Sequence, residues 1–528
     1  MMMTAGGAST SRWGRVATPA LTLSFALLLL VGLAGPSAAK PPLGPRGLAP
    51  GDLPWSPGPA LVTGLLWAAY AIGALGVGAR LRGEPSVVSG AGMLGAVAAR
   101  ARRRLVPGAN SPFAGGGGAE SPFAWRRGGA TAGGWGRPLG LGLLALLTAP
   151  FGSADHTNYA AYGRIAALGG DPYLTPPNAW SALDPVTSAV EPPWTGTVSI
   201  YGPVATLLQG LTSHVAGANL RETVWCWQVL VVLAWLAVRF LLLRAGATPR
   251  RVDTLWTLNP VVFGIGVLGA HVDLVAAALA MAALVLAVRR PVAAGAFAGL
   301  AVSCKITYGV VALAVLLGWW VHERAGFVTR AIAFASAALV LVIPLHLWAG
   351  PHVFDQLNRA RRSISLATPW RLLYEALSGP LASGTARTVV TVLAVVAVVG
   401  FVVVFARLTR HLAPATSTGV AVRWALVLST AYTVAAPYSL PWYDLLTWAT
   451  LPVLAASVLD GILLVRLVAM AFAYVPGRVV GMTPTVERAT LWVRRTPVPY
   501  AVLLVWAWLT LAARRVWSPT PEPRPPAP

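Results

Sequence analysis

Hydrophobic positions along this chain do not alternate in short periods; they run together. Apolar stretches of about 15 to 22 residues recur from one end to the other, broken by short polar corners. A run of that length crosses a hydrocarbon layer of about 30 Å as a helix. Backbone groups inside such a layer must find their partners within the same helix, which makes the helix the only economical element here. The pattern predicts an all-α, polytopic transmembrane bundle of about 13–14 spans. The spans fall near 17–33, 59–79, 138–152, 223–243, 253–268, 272–288, 292–303, 306–320, 329–348, 387–406, 422–436, 445–459, 462–474 and 500–513. The stretch 204–215 reads as a short interfacial or re-entrant helix.

Composition agrees. Of 528 residues, 56% are hydrophobic and only 11% charged, where soluble proteins carry roughly a quarter charged residues. A soluble enzyme is excluded. The net charge of +23 comes from 38 arginines and two lysines, Lys40 and Lys305. In a membrane chain such an excess marks cytoplasmic loops, not nucleic-acid binding. Cys226 and Cys304 both lie in apolar stretches and build neither a disulfide framework nor a zinc site. The sequence implies no cofactor and no metal.

Charge then orders the chain into regions. Residues 1–79 hold the first spans. The first ends in Gly35-Pro-Ser-Ala-Ala39, which has the small residues of a signal cleavage site, and Lys40 lies outside whether or not it is cut. Residues 80–137 carry nine arginines and a run of four glycines, the composition of a flexible cytoplasmic tether. Residues 138–450 form the core, with large external loops at 153–222 and 349–386. Residues 451–515 hold the last spans, and 516–528 form a proline-rich tail expected to be disordered. Alternation places arginines 244, 250, 251, 289, 290, 324, 407 and 410 inside. It conflicts with charge at one place: the segment 477–497, with Arg478, Arg488, Arg494 and Arg495, falls outside, so the last two spans are open to recounting.

Nearly every unusual polar residue falls at an expected external corner, and polar groups at membrane depth mark function. Asp155 stands where a span emerges, with Tyr159 and Tyr162 four and seven residues on along the same helical face. An aromatic-lined carboxylate at that boundary is partly desolvated and suited to general-base work on a hydroxyl. Its structural alternative is a helix N-cap. Arg164 ends the same stretch and is a candidate contact for the donor's phosphate or sugar. Asp171-Pro-Tyr173 and Tyr201-Gly-Pro203 are proline-fixed turns that hold tyrosines rigidly, either for ligand contact or as plain turn chemistry. His271 and Asp273 flank a helix start and cannot share a helical face. The Gly264–Gly269 stretch spells G-x-G-x-x-G but has no strand before it, so close helix packing explains it better than a nucleotide. Lys305 either snorkels to headgroups or holds a phosphate. Arg359, Arg361 and Arg362 form a basic cluster on an external loop, a placement that a bound anion would explain. Trp442 and Tyr443 are belt aromatics or a sugar-stacking pair.

In order along the chain, Ser153-Ala-Asp155 with Tyr159 and Gly163-Arg164, Gly169-Gly-Asp171-Pro-Tyr173, Tyr201-Gly-Pro203, Asn259-Pro260, Gly269-Ala-His271-Val-Asp273, Lys305 and Pro441-Trp-Tyr443 resemble the actinobacterial polyprenol-phosphate-mannose-dependent α-1,6-mannosyltransferases, integral-membrane enzymes of the C-type glycosyltransferase superfamily. The resemblance covers about residues 138–450. It implies a polyprenyl-phosphate-linked sugar donor, a mannan or lipid-linked glycan acceptor, a site on the outer face of the plasma membrane and Asp155 in the catalytic position. It also implies that His271, Asp273 and Lys305 stand near the donor. The family usually has an amide after the histidine, where this chain has Val272. Two alternatives stay open: a transferase for another polyprenyl-phosphate sugar, and a flippase or transporter of a lipid-linked sugar. A transporter should show internal repeats and midplane polar residues; no repeat is visible, and the polar residues crowd one edge.

Overall fold

A computed structural model describes residues 7–83, 134–355 and 363–517. The tether's centre, the Arg359, Arg361 and Arg362 cluster and the proline-rich tail lie outside the described residues.

Among the described residues the regular elements are helices. We name α1 (Gly7–Leu33), α2 (Pro59–Arg82), α3 (Asp155–Ala167), α4 (Pro203–Ala216), α5 (Leu220–Arg244), α6 (Val272–Leu286), α7 (Pro291–Cys304), α8 (Val310–His322), α9 (Phe327–Ala349), α10 (Ser383–Leu408), α11 (Ser417–Ala435), α12 (Val458–Tyr474), α13 (Pro484–Arg495) and α14 (Pro497–Trp517). Proline at the first turn, where a missing N–H costs nothing, opens α2, α4, α7 and α13.

Among the described residues, seven helices are long and apolar enough to cross a membrane, or eight if the bent pair Pro260–Leu268 and Val272–Leu286 counts as one span. The sequence expectation was higher because uniformly apolar segments are of two kinds. α7 and the stretch Ile306–His322 are short apolar helices. The expected span at 445–459 is a six-residue helix, Leu445–Thr450, followed by a single tight turn, Leu451–Val453. Leu445, Ala449, Leu451 and Leu454 in it are buried in protein. Hydropathy alone does not separate a segment apolar because it meets lipid from one apolar because it meets other helices.

The opposite case is equally plain. The apolar window of α9 is only 6% buried and that of α10 22%, against 67% for α11. Leu339, Val340, Leu347, Val395, Val396 and Val399 stand exposed on them. An aqueous surface would not carry such a face; a bilayer requires it. The chain is a multi-pass membrane protein.

One continuous apolar core runs through the bundle, with Leu28, Val62, Trp235, Phe263, Ala276, Ala425 and Leu467 inside it. α6 packs between α5 and α7, α7 against α9, and α12 against both α2 and α14. Gly264 and Gly266 serve this packing: an added Cβ would come within 2.9 Å of Tyr70 and 3.1 Å of Leu274, while on Gly269 it would meet the Ile265 carbonyl oxygen of the same segment at 2.3 Å.

Candidate active site

The chain turns by 108° between the segments ending at Leu268 and starting at Val272. The approach to that corner is wound as a π-helix, Phe263–Leu268, a form often found where a site must be shaped. Ala270 takes φ +50°, in the left-handed region that disfavours a residue with a Cβ. Its carbonyl is held by the Trp227 indole N–H at 2.8 Å. The result is that His271 and Asp273 leave the corner in different directions.

His271 turns toward α3. Its ring stacks on Trp442 with centroids 3.8 Å apart and planes 14° from parallel. Its Nδ1 stands 3.5 Å from Asp155 Oδ2, and the Tyr159 hydroxyl is also 3.5 Å from that oxygen. Asp155 is not the helix cap: Ala154 holds that place, and the Ser153 hydroxyl accepts the Asp155 N–H. The carboxylate is therefore not spent on capping, and it lines a cavity of about 440 Å³.

Asp273 turns toward α7. Lys305 Nζ donates to both its oxygens, at 2.7 and 2.8 Å, and the ammonium lies 4.1 Å over the Tyr443 ring. The two arms meet because two glycines allow backbone contact. A Cβ on Gly163 would stand 2.2 Å from the Gln209 carbonyl oxygen, and one on Gly202 2.2 Å from that of Ser303. The Gly202 N–H bonds the Cys304 carbonyl at 3.1 Å, which sets Tyr201 beside Lys305. Tyr201 meets Tyr159 edge-on at 5.0 Å. Burial raises the Tyr201 and Tyr443 phenols well above their ordinary range, so both remain protonated donors.

Asp155, Tyr201, Lys305, Trp442 and Tyr443 thus all line one cavity. Trp442 is buried, and its corner is braced from below by an Asp444–Arg466 ion pair. A membrane-surface belt is not its place. Burial raises the Asp444 carboxyl against the pull of Arg466.

Other expected residues stand elsewhere. Arg164 points to Asp184 (2.8 Å), whose other oxygen accepts the Val186 and Thr187 N–H groups; this pair braces the loop after α3 and does not line the cavity. Asp171 accepts the Tyr173 N–H at 2.8 Å as turn chemistry, and the Tyr173 hydroxyl bonds Thr206 on α4 at 2.7 Å, a tertiary contact. Asp273 is buried behind Lys305.

The cavity has a second wall that sequence reading missed. Glu191, Tyr438, Tyr474, Arg478, Glu487 and Arg494 line it. Arg478 Nε donates to Glu191 at 2.8 Å, and its Nη1 reaches the Ser37 and Lys40 carbonyls. Arg494 lies 4.7 Å over the Tyr474 ring. The signal was present: these arginines belong to the segment 477–497, where charge and alternation conflict.

Residues 67–323 match the family model described as alpha-(1->6)-mannopyranosyltransferase, N-terminal domain. Alpha-(1->6)-mannopyranosyltransferase A of Mycobacterium tuberculosis is 29% identical over 224 residues, 39% of this chain and 40% of that protein. A probable alpha-(1->6)-mannopyranosyltransferase of Mycolicibacterium smegmatis is 32% identical over 152 residues, 27% of each chain. The chain therefore spans less than half the length of these relatives. A crystal structure of ArnT from Cupriavidus metallidurans bound to undecaprenyl phosphate aligns over 69% of this chain and 72% of that one, at 15% identity and a TM-score of 0.39. The family match bears out the resemblance read from the sequence, over the region that holds Asp155, Tyr201, His271 and Lys305.

Proposed function

We propose that this chain, whose residues 67–323 match the alpha-(1->6)-mannopyranosyltransferase N-terminal domain model, transfers mannose from a polyprenyl-phosphate donor to a mannan or lipid-linked glycan acceptor. The transfer takes place at the outer face of the plasma membrane and forms an α-1,6 linkage. The observation that carries the reading is the position of Asp155. It is a carboxylate at a helix start, bordered by His271 and Tyr159, facing a cavity wide enough for a sugar that is also walled by cations.

The chemistry needs few parts. Asp155 takes the proton of the acceptor hydroxyl as its oxygen attacks the anomeric carbon. The bond from that carbon to the phosphate oxygen breaks, and polyprenyl phosphate leaves with the electron pair. One displacement inverts a β-linked donor to an α-linked product. General-base help of this kind contributes about 10²–10⁴-fold. Fixed cations facing the departing phosphate supply several kcal/mol more in a site shielded from water. The Trp442 face, held parallel to His271, offers a flat platform for a sugar ring, and Tyr201 and Tyr443 offer hydroxyl donors.

The test is transfer of label from polyprenyl-phosphomannose to short mannose acceptors in membranes holding wild type or Asp155→Asn at equal levels. Wild type is expected to make product and the variant to lose about 10²-fold or more. Full transfer by the variant would remove Asp155 from the mechanism. No product from wild type with any polyprenyl-phosphate sugar would favour transport of the lipid-linked sugar instead.

A further inference from the structure

Three cations face the cavity among the described residues, and they are not equivalent. Lys305 gives two charge-assisted bonds to Asp273. Arg478 is matched by Glu191. Arg494 differs. Its Nε donates to the Ala473 carbonyl and its guanidinium rests on Tyr474, so the side chain is held in place. Among the described residues, however, no carboxylate stands within ion-pair distance of it. Glu487 faces the same cavity two turns earlier on α13 without reaching it.

We propose that Arg494 is the residue that seats the phosphate of the lipid-linked donor, and that Lys305 is a positioning residue tied to Asp273. The assignment rests on the transfer reading above and names the donor's contact within it. Lys305 has three N–H donors and spends two of them on Asp273, so it could offer a phosphate only one, and the phosphate would come to rest beside the Asp273 charge. Arg494 has nothing to give up. With Nε on a carbonyl, its Nη edge is left for the paired contact that guanidinium makes with phosphate. A half-buried cation without a carboxylate is costly until an anion arrives.

Two further features agree. Arg494 is connected to Asp155 by a chain of aromatic contacts that joins the two walls. Tyr474 lies under Arg494, meets Trp442 edge-on at 5.7 Å, and Trp442 stacks on His271, whose Nδ1 is 3.5 Å from Asp155. Base and phosphate seat are then linked through three successive ring contacts. The same cavity also carries apolar lining residues, Leu366, Val479, Met482 and Leu491. α13 runs directly into α14, within the candidate membrane span Pro484–Val516. An isoprenoid can therefore stay in hydrocarbon while its phosphate meets the guanidinium.

The experiment uses the full chain in nanodiscs. Binding of undecaprenyl phosphate, and KM and kcat for polyprenyl-phosphomannose, are compared for wild type, Arg494→Gln, Arg494→Lys and Arg488→Gln. Arg488 lies on α13, is exposed and is absent from the cavity wall, so its variant is the control. Arg494→Gln is expected to weaken undecaprenyl phosphate binding and raise the donor KM by about 10- to 100-fold. Arg494→Lys should recover part of the loss, and Arg488→Gln should match wild type. Equal binding by Arg494→Gln and wild type overturns the assignment; if wild type still makes product, the transfer reading survives it. Competition by phosphatidate as strong as by undecaprenyl phosphate also overturns it, since Arg494 would then be meeting bilayer headgroups. A wild type that makes no product, yet binds undecaprenyl phosphate through Arg494, upholds the seat and rejects the transfer reading.

Discussion

His156 stands next to the proposed base and takes no part in the chemistry above, yet it makes a measurable statement. Both its ring nitrogens are buried without a hydrogen-bond partner. Burial, opposed by Asp155 and reinforced by His271, Arg478 and Lys40, pushes its pKa down to about 3. An unfolded histidine titrates near 6.5. Above that pH both states are neutral and the residue is indifferent. As pH falls from 6.5 toward 3 the unfolded chain takes up a proton that the folded chain refuses, so stability declines. At pH 5 the decline amounts to about 2 kcal/mol. Melting in detergent at pH 7.5 and pH 5 should show a larger loss for wild type than for His156→Leu. Equal losses would mean that His156 takes up its proton equally in both states. Asp155 and His156 are adjacent letters, and nothing in their order says which faces the cavity. Asp155 was legible because a lone acid at the end of an apolar run has few structural reasons to be there. Arg164 and Tyr173 looked equally apt, but their partners, Asp184 and Thr206, are supplied by the fold.

At the scale of elements, the site depends on how closely α3 approaches α4. Gly163 faces the Gln209 carbonyl so tightly that a methyl group would stand 2.2 Å from its oxygen. That oxygen is bonded into a helix backbone and cannot yield as a flexible side chain would. Gly163→Ala is expected to cost about 1–3 kcal/mol and to lower transfer while every proposed catalytic group is still present. Gly400→Ala on α10, where nothing lies within 4 Å, should leave melting and transfer near wild type, since alanine is the better helix former. Thermal melting of the purified proteins beside their transfer rates checks both. The corner at Ala270 shows what patterning leaves out. Two apolar runs separated by Gly-Ala-His read as two spans, whereas Pro260–Leu268 and Val272–Leu286 together make at most one. The 108° turn between them, and the divergence of His271 from Asp273, follow from a π-wound approach and a left-handed alanine that no period of hydrophobicity encodes.

For the whole molecule, the conflict between charge and alternation near the C-terminus belongs to a count of about fourteen spans, and the segment 477–497 that raised it supplies part of the second wall of the cavity. Glu191 and Arg478 are 287 positions apart, so their pairing leaves no local trace. What remains visible is a basic segment on the face where basic residues are unexpected. On the transfer reading proposed above, a phosphate seat at Arg494 would account for one of them, and the Glu191 pair accounts for Arg478. This makes orientation the decisive property of the molecule, since a base reached only from the cytosol could not build a glycan outside. The two cysteines can be removed, as Cys226→Ser and Cys304→Ala, and single cysteines introduced for labelling in intact cells with a membrane-impermeant maleimide. Leu48 and Leu183 are almost fully exposed. Leu183 lies in the loop that carries Asp184, and Leu48 in the segment whose Asp52 is paired with Lys40 and Arg221. Cysteines at both should label without permeabilisation. Ala325, in the exposed corner beside Arg324, should label only after it. The reverse pattern would put Asp155 on the cytosolic side, and neither the acceptor nor the direction of transfer argued above would survive that result.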